Sequence, residues 1–514
     1  MRHRRLPVLA AVFLAGTALT GAVAAASQPV QMVSPGDPYA SCTAGASDSG
    51  VNYPGAEDEP WVAVDKHHPG RVIGVYQQNR WSDGGARGLA ASYSHDGRHF
   101  AKTTLPFSVC APGGLKYERA SDAWVDFGPD GVAYASGLDF DASTPRNGVG
   151  AATSYDGGRT WKNTTQLIND TDPAFVDDKN SVTADPRHPG VAYQVWDRID
   201  AVSSGPGAVY NGPSYIAITR DHGRHWTPAH QFVDTSVVPN SQTIGNVIVA
   251  DPRTDKLYDF FEWQTYSDVT ASQIVDLHFA VVTSTDQGRT WSAPAKVAND
   301  TSVAEVDPNA PDDASKALRG GANLISPAVD PRTGELYASF EGSAFTGGAY
   351  DDVELVHSTD GGRTWSAPSR VNQVQSAPAF TPSIAVDEHG RVAVSYYDLR
   401  YLQPGNTTTL PTATWLVTLP RGGTGPAAER RISGVFDWLL APYAGWGHFL
   451  GDYEGMALDG GRFRPMFVET NASQPANSTD VYTGVFSART GHGSALSPRL
   501  SLSARTHPAH RLRH

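Results

Sequence analysis

The chain has 514 residues, with 40 Lys and Arg against 53 Asp and Glu, a formal net charge of −13, and two cysteines. That acidity argues against nucleic acid as a partner. No apolar stretch beyond the N-terminus approaches the roughly twenty residues that a membrane span needs.

Residues 1–26 read as a signal peptide: Arg2, Arg4 and Arg5 precede an apolar run from Leu6 to Val23, and Ala24-Ala25-Ala26 offers small residues for cleavage. The mature protein is therefore expected to be secreted and extracellular. Residues 27–57 form an N-terminal extension, and 58–487 form the body. Residues 488–514 hold five Arg and no acid, and read as a disordered basic tail. Without the eight arginines of signal and tail, the formal charge of the body is near −21. Cys42 and Cys110 both survive cleavage, and in an oxidising compartment they are expected to form one disulfide.

Two repeats run through the body. In the first, a short apolar strand ends in Asp, a Pro- or Gly-rich turn follows, and then an alternating strand. The aspartates are Asp65, Asp126, Asp185, Asp251, Asp330, Asp387 and Asp459, spaced 57 to 79 residues apart, which leaves room for four short strands per unit. Period-2 alternation and turn clusters predict an all-β chain. Repeated four-stranded units that close on themselves make a single β-propeller. Seven units predict seven blades, with six blades and one irregular hairpin as the alternative. The last unit shows only three strands, and Pro29-Val30-Gln31-Met32-Val33 is available to supply the fourth.

The second repeat is a phrase: SYDGGRTW at 154–161, TRDHGRHW at 219–226, STDQGRTW at 284–291, STDGGRTW at 358–365, and a shorter SHDGRHF at 94–100. The aspartates Asp96, Asp156, Asp221, Asp286 and Asp360 can accept bonds from their own turn's N–H groups, and glycine supplies a left-handed residue. The aromatic residue then offers an apolar plate to a neighbour. The phrase reads as a fold staple, with no catalytic part.

This phrase resembles the Asp box of the sialidase (BNR-repeat) superfamily. The resemblance implies an exo-α-sialidase type of glycoside hydrolase acting on extracellular glycans or glycoconjugates, expected to be monomeric. Such enzymes hold a substrate carboxylate with three arginines and use a tyrosine nucleophile with a glutamate base and an aspartate acid. Carried onto this chain, the arginines that end second strands are Arg80, Arg198 and Arg400. The nucleophile is Tyr453, with Glu262 or Glu341 as base and Asp58 or Asp122 as acid. Trp196 and Trp263 join the substrate-binding set. The chain departs from the superfamily where an Arg-Ile-Pro motif would fall, since Glu59-Pro60-Trp61-Val62 stands there.

Two other readings stay open. One is a different carbohydrate-active propeller, a hydrolase or lyase on a neutral or uronic polymer. In it Asp58, Asp122, Asp178, Glu262 and Glu341 do acid/base work, and Trp81, Trp196, Trp263, Trp446 and Tyr397 stack on sugars. The other is a non-catalytic propeller that binds glycan or protein. No zinc motif, phosphate loop or nucleotide fingerprint occurs, so no cofactor is expected. The acidic pairs Asp177-Asp178 and Asp312-Asp313 are the candidates for structural Ca²⁺.

Overall fold

The computed structural model describes residues 30–47, 49–202, 209–425, 427–473 and 478–488. The expected signal peptide, and the basic tail apart from Ala488, lie outside the described residues. The chain is all-β, with three short 3₁₀ turns among the described residues.

Seven groups of antiparallel strands follow one another. Their first strands are Glu57–Val64, Arg119–Phe127, Phe175–Ala184, Ser241–Ala250, Ser326–Val329, Ala379–Val386 and Gly455–Asp459. Each first strand pairs with the next strand in sequence through the Asp-turns read above. It also lies against the first strand of the following group, and the seventh lies against the first, so the cycle of groups closes. The seventh group takes its outer strand from the N-terminal extension: Gln31 and Met32 pair with Thr483 and Tyr482, and the Val33 N–H donates to the Val481 carbonyl at 2.8 Å. Further bonds hold the seventh group to the first, including Gly70 N–H to Asp459 Oδ1 at 2.9 Å and Arg464 Nη2 to the Gly97 carbonyl at 3.2 Å.

The phrases at the third-to-fourth strand turns fold alike. In the fourth group, Asp286 accepts from the Thr290 N–H at 2.9 Å and the Thr290 hydroxyl at 2.7 Å, while the Ser284 hydroxyl accepts from the Gly288 N–H. Asp156 and Asp360 repeat this with Thr160 and Thr364. In Asp96 and Asp221 a histidine, His99 or His225, replaces the threonine. Donation from the Thr290 and Thr364 side chains and N–H groups holds Asp286 and Asp360 at about 2. Each turn packs on the preceding group. Trp291 meets Phe232 and Trp365 meets Phe260, with ring centroids 4.9 and 5.8 Å apart.

Cys42 and Cys110 are bonded, with Cα atoms 5.6 Å apart. The bond ties the N-terminal extension to the connection between the first and second groups.

Candidate functional site

At the strand ends opposite the Asp-turns, five of the first strands carry a β-bulge at the same place. The register slips between Asp58 and Trp61, Ser121 and Trp124, Asp178 and Ser181, Ile244 and Val247, and Phe380 and Ser383. Within each slip one residue is left-handed: Glu59 (φ 51°), Asp122 (52°), Lys179 (47°), Gly245 (76°) and Thr381 (51°). A bulge re-aims the side chain it carries. Only one of these positions is glycine, so four non-glycine residues hold a costly conformation at the centre of the ring, as functional sites often require.

Three of these residues, Glu59, Asp122 and Lys179, line one wall of a cavity of about 340 Å³, together with Arg80, Asp178, Glu305, Arg319, Trp446 and Asp452. Lys179 is its hub. Its Nζ lies 2.7 Å from Asp452, 3.5 Å from Glu59 and 3.9 Å from Asp122. Arg319 grips Asp452 from the other side with two bonds, at 3.0 and 2.7 Å. Burial works against the charge on Asp452, but Arg319 and Lys179 outweigh it and hold the carboxyl far below its usual range. Glu59 goes the other way. Burial pushes it up to about 8 despite Lys179, and Asp122 and Asp452 add to the rise. Burial also raises Asp122. Asp58 sits directly behind, fully buried, with no hydrogen-bond partner for either oxygen among the described residues. Burial pushes it up to about 8 against the pull of Arg80.

Arg319 comes from a short strand, Leu318–Arg319, that pairs with Gly447–Phe449, itself half of a hairpin with Tyr443–Ala444. The connection into the fifth group thus meets the connection into the seventh over the cavity. It stacks the Arg319 guanidinium 4.5 Å from the Trp446 ring. Trp446 is 38% exposed, so part of its face remains open at the rim.

The sequence-predicted residues divide sharply. Asp122 and Arg80 line the cavity, and Asp58 backs it. Arg198 and Arg400 do not converge with Arg80. Arg198 is held by Asp170 at 2.7 and 2.9 Å, with Phe175 beneath it, and Arg400 by Asp398 and Glu429, 3.4 Å over the Trp415 ring. Arg198 is paired with a carboxylate of the neighbouring second group and Arg400 with carboxylates of its own sheet, so the expected arginine triad does not assemble. The cations at the cavity are Arg80, Lys179 and Arg319 instead.

Tyr453 and Glu262 are not paired either. Tyr453 packs 5.2 Å from Trp124, which stacks on Trp61 at 3.5 Å, and its hydroxyl donates to the Ala123 carbonyl at 3.5 Å. Burial raises its pKa well above 10. Glu262 is buried in the fourth group, where it accepts from Gln264 at 2.6 Å and Asp300 adds to a rise that burial begins. Trp196 and Trp263 are core side chains whose indole N–H groups bond Asp177 and Thr265 at 3.0 and 3.2 Å. Trp81 and Tyr397 are buried as well, which leaves Trp446 as the sugar-facing candidate.

Glu59, Lys179, Arg319, Asp452 and Glu305 were not singled out from sequence. The first two and Asp452 sit at first-strand starts, where the signal was one of position. Arg319 and Glu305 lie in a long connection with no period to place them. Among the described residues, Glu305, Glu341 and Asp351 form a group whose carboxylate oxygens could share a metal ion. The acidic pairs named above do not. Asp177 serves Trp196, and Asp313 caps a 3₁₀ turn through the Ser315 N–H.

Residues 356–367 match the BNR/Asp-box repeat family, and that stretch is the fifth-group turn whose geometry recurs at Asp96, Asp156, Asp221 and Asp286. The chain carries Asp-box repeats. No curated protein matches it. Among solved structures, the chain is similar to a protein of unknown function from Dyadobacter fermentans, at 12% identity and a TM-score of 0.46, over 90% of this chain and 99% of that one. It is also similar to a mutant of NanB sialidase from Streptococcus pneumoniae (8%, TM-score 0.45, 85% and 94% of the chains). A third is a GH93 alpha-L-arabinofuranosidase of Fusarium graminearum (15%, TM-score 0.40, 71% and 92%).

Proposed function

We propose that this chain is an exported, seven-bladed propeller that hydrolyses glycosidic bonds of extracellular glycans with carboxyl side chains in its central cavity. The observation that carries the reading is the split between Glu59 and Asp452. Both reach the same Lys179 Nζ, so their oxygens lie within about 6 Å, yet one environment favours the acid and the other the anion. Glu59, protonated at neutral pH, would give its proton to the leaving oxygen. Asp452, ionised, would face the positive charge that develops on the sugar ring. Trp446 offers an apolar plate to a pyranose or furanose face. The closed cycle of seven strand groups supports the blade count, and the disulfide suits an oxidising compartment.

The substrate favoured is a neutral sugar. Lys179 and Arg319 are already engaged by Asp452, so they are poor recruits for a substrate carboxylate. A sialidase mechanism would also need a base on the Tyr453 hydroxyl, which donates to a carbonyl instead.

The test is release of a fluorogenic reporter from a panel of neutral, uronic and sialic acid glycosides. Cleavage of a neutral glycoside, with Glu59→Gln and Asp452→Asn each losing about a hundredfold or more in kcat, is expected. Sialoside cleavage that survives Glu59→Gln would return the sialidase reading. Glycan binding without release of any reporter would make the chain a binding module.

A further inference from the structure

Away from Lys179 the cavity wall carries one further acid, Glu305. The connection between the fourth and fifth groups brings Glu305 onto Glu341 and Asp351, with one oxygen of each within 4.8 Å of the others. All three side chains are buried. Asp351 accepts from the Val303 N–H at 3.1 and 3.0 Å, and Glu341 Oε1 accepts from the Thr381 N–H at 2.6 Å. Glu305 Oε1 and Glu341 Oε2 have no partner among the described residues.

A second, independent feature points into the same space. The Thr381 hydroxyl belongs to a residue only 1% exposed and also lacks a partner among the described residues. A Cβ at Gly320 would stand 3.2 Å from Glu305 Oε2 and 3.6 Å from Thr381 Oγ1, so the hydroxyl and the carboxylate face one small volume. Thr381 is one of the left-handed bulge residues. Arg370 of the fifth group is spent on Asp352 at 2.9 Å, and Arg319, next to Gly320, on Asp452 at 2.7 Å.

Buried carboxylates left without a counter-charge are costly, and like charges this close cannot all ionise unaided. Protons shared between Glu305 and its two neighbours would link the three carboxyls but leave the Thr381 hydroxyl without a partner. A cation satisfies them together. We propose that Glu305, Glu341, Asp351 and the Thr381 hydroxyl bind a calcium ion, which fixes the connection carrying Arg319 over the cavity. The donors are all hard oxygens, and carboxylate oxygens within 4.8 Å of one another can all reach one ion about 2.4 Å away. Magnesium, at about 2.0–2.1 Å and reluctant to shed water, fits a site of buried protein oxygens less well. The inference stands whether or not the cavity hydrolyses glycans.

The full chain, stripped with EDTA, is titrated with CaCl₂ while bound metal and melting temperature are followed. One calcium per chain is expected, with a rise of about 3 °C at a hundredfold excess over Kd. Glu341→Gln and Asp351→Asn should each abolish the rise, and Asp312→Asn at the surface should keep it. Thr381→Val, which changes no charge, should weaken calcium binding about tenfold or more. Metal content of the wild-type chain decides the matter even if the carboxylate variants do not fold. No bound calcium, a rise that survives in Glu341→Gln and Asp351→Asn, or a larger rise with MgCl₂ overturns the proposal.

Discussion

The bulge residues show how one backbone device sets the chemistry of the site. Glu59, Asp122 and Lys179 occupy equivalent positions in successive groups, and the same left-handed kink turns each toward the axis. Their burial has a consequence for stability. Asp58 and Glu59 are pushed up to about 8, and Asp177 and Asp197 to about 7, in each case chiefly by burial. A carboxyl with a raised folded pKa binds more protons in the folded state than in the unfolded one between its usual value near 4 and its raised value. Stability therefore falls as pH rises through that window. The Asp-box acids pull the other way, but only below pH 4. A higher melting temperature at pH 5 than at pH 8, in EDTA, is the expected outcome of scanning calorimetry. The reverse order would mean that these acids are ionised and compensated in a way their surroundings do not suggest. Position along a strand made Asp122, Asp58 and Arg80 legible in the sequence. Arg198 and Arg400 shared that position and still misled, because Asp170 of the neighbouring group takes the first and Asp398 and Glu429 of its own sheet take the second. Residue type and strand end are readable from sequence, whereas which carboxylate wins a guanidinium depends on the rim geometry.

At the scale of the strand and its turn, the Asp boxes were the clearest signal because every requirement is local: an acceptor, a left-handed glycine and a hydroxyl within eight residues. What sequence could not give is the neighbour each box grips. Gly158 supplies the case to test. It sits at φ 94° in the second-group turn, and a Cβ there would stand 2.9 Å from Ile73 Cγ1 of the first group and 3.0 Å from Tyr93 Cβ. Gly158→Ala therefore meets both a left-handed strain and an overpacked joint between two sheets, and we expect it to cost about 2 kcal/mol. Gly461 also has a positive φ, at 73°, but nothing lies within 4 Å of its Cβ position. Gly461→Ala isolates the strain alone and should cost about half as much. Equal losses in denaturant unfolding would show that the box does not act as a joint between groups. The same logic explains why the bulges escaped notice: an alternating pattern interrupted by Glu-Asp-Glu-Pro or Asp-Asp-Lys-Asn looks like the end of a strand, and only the partner strand reveals the slip.

The closure of the whole ring rests on a segment remote in sequence from its partner, and here the disulfide and the outer strand act on the same joint. Gln31 and Met32 pair with the seventh group, Val33 is buried, and the Val481 N–H donates to Ser34 Oγ at 2.9 Å. A chain lacking residues 1–35 loses these contacts. Burial of Val33 alone is worth about 2 kcal/mol. The Cys42–Cys110 bond closes a span of 68 residues, for which loop entropy allows at most about 4 kcal/mol. The bond also shortens the tether of the closing strand, since Met32 is ten residues from Cys42 but twenty-five from Glu57, where the first group begins. The cost of a flexible loop grows as the logarithm of its length, so the strand should hold about 1 kcal/mol more firmly with the bond than without it. Truncation should therefore lower stability less in a Cys42→Ser/Cys110→Ser background than in the oxidised parent. A double-mutant cycle measured by denaturant unfolding reads this coupling directly. Strictly additive losses would mean that bond and strand stabilise separate parts of the molecule, and that the tether has no share in closing the ring.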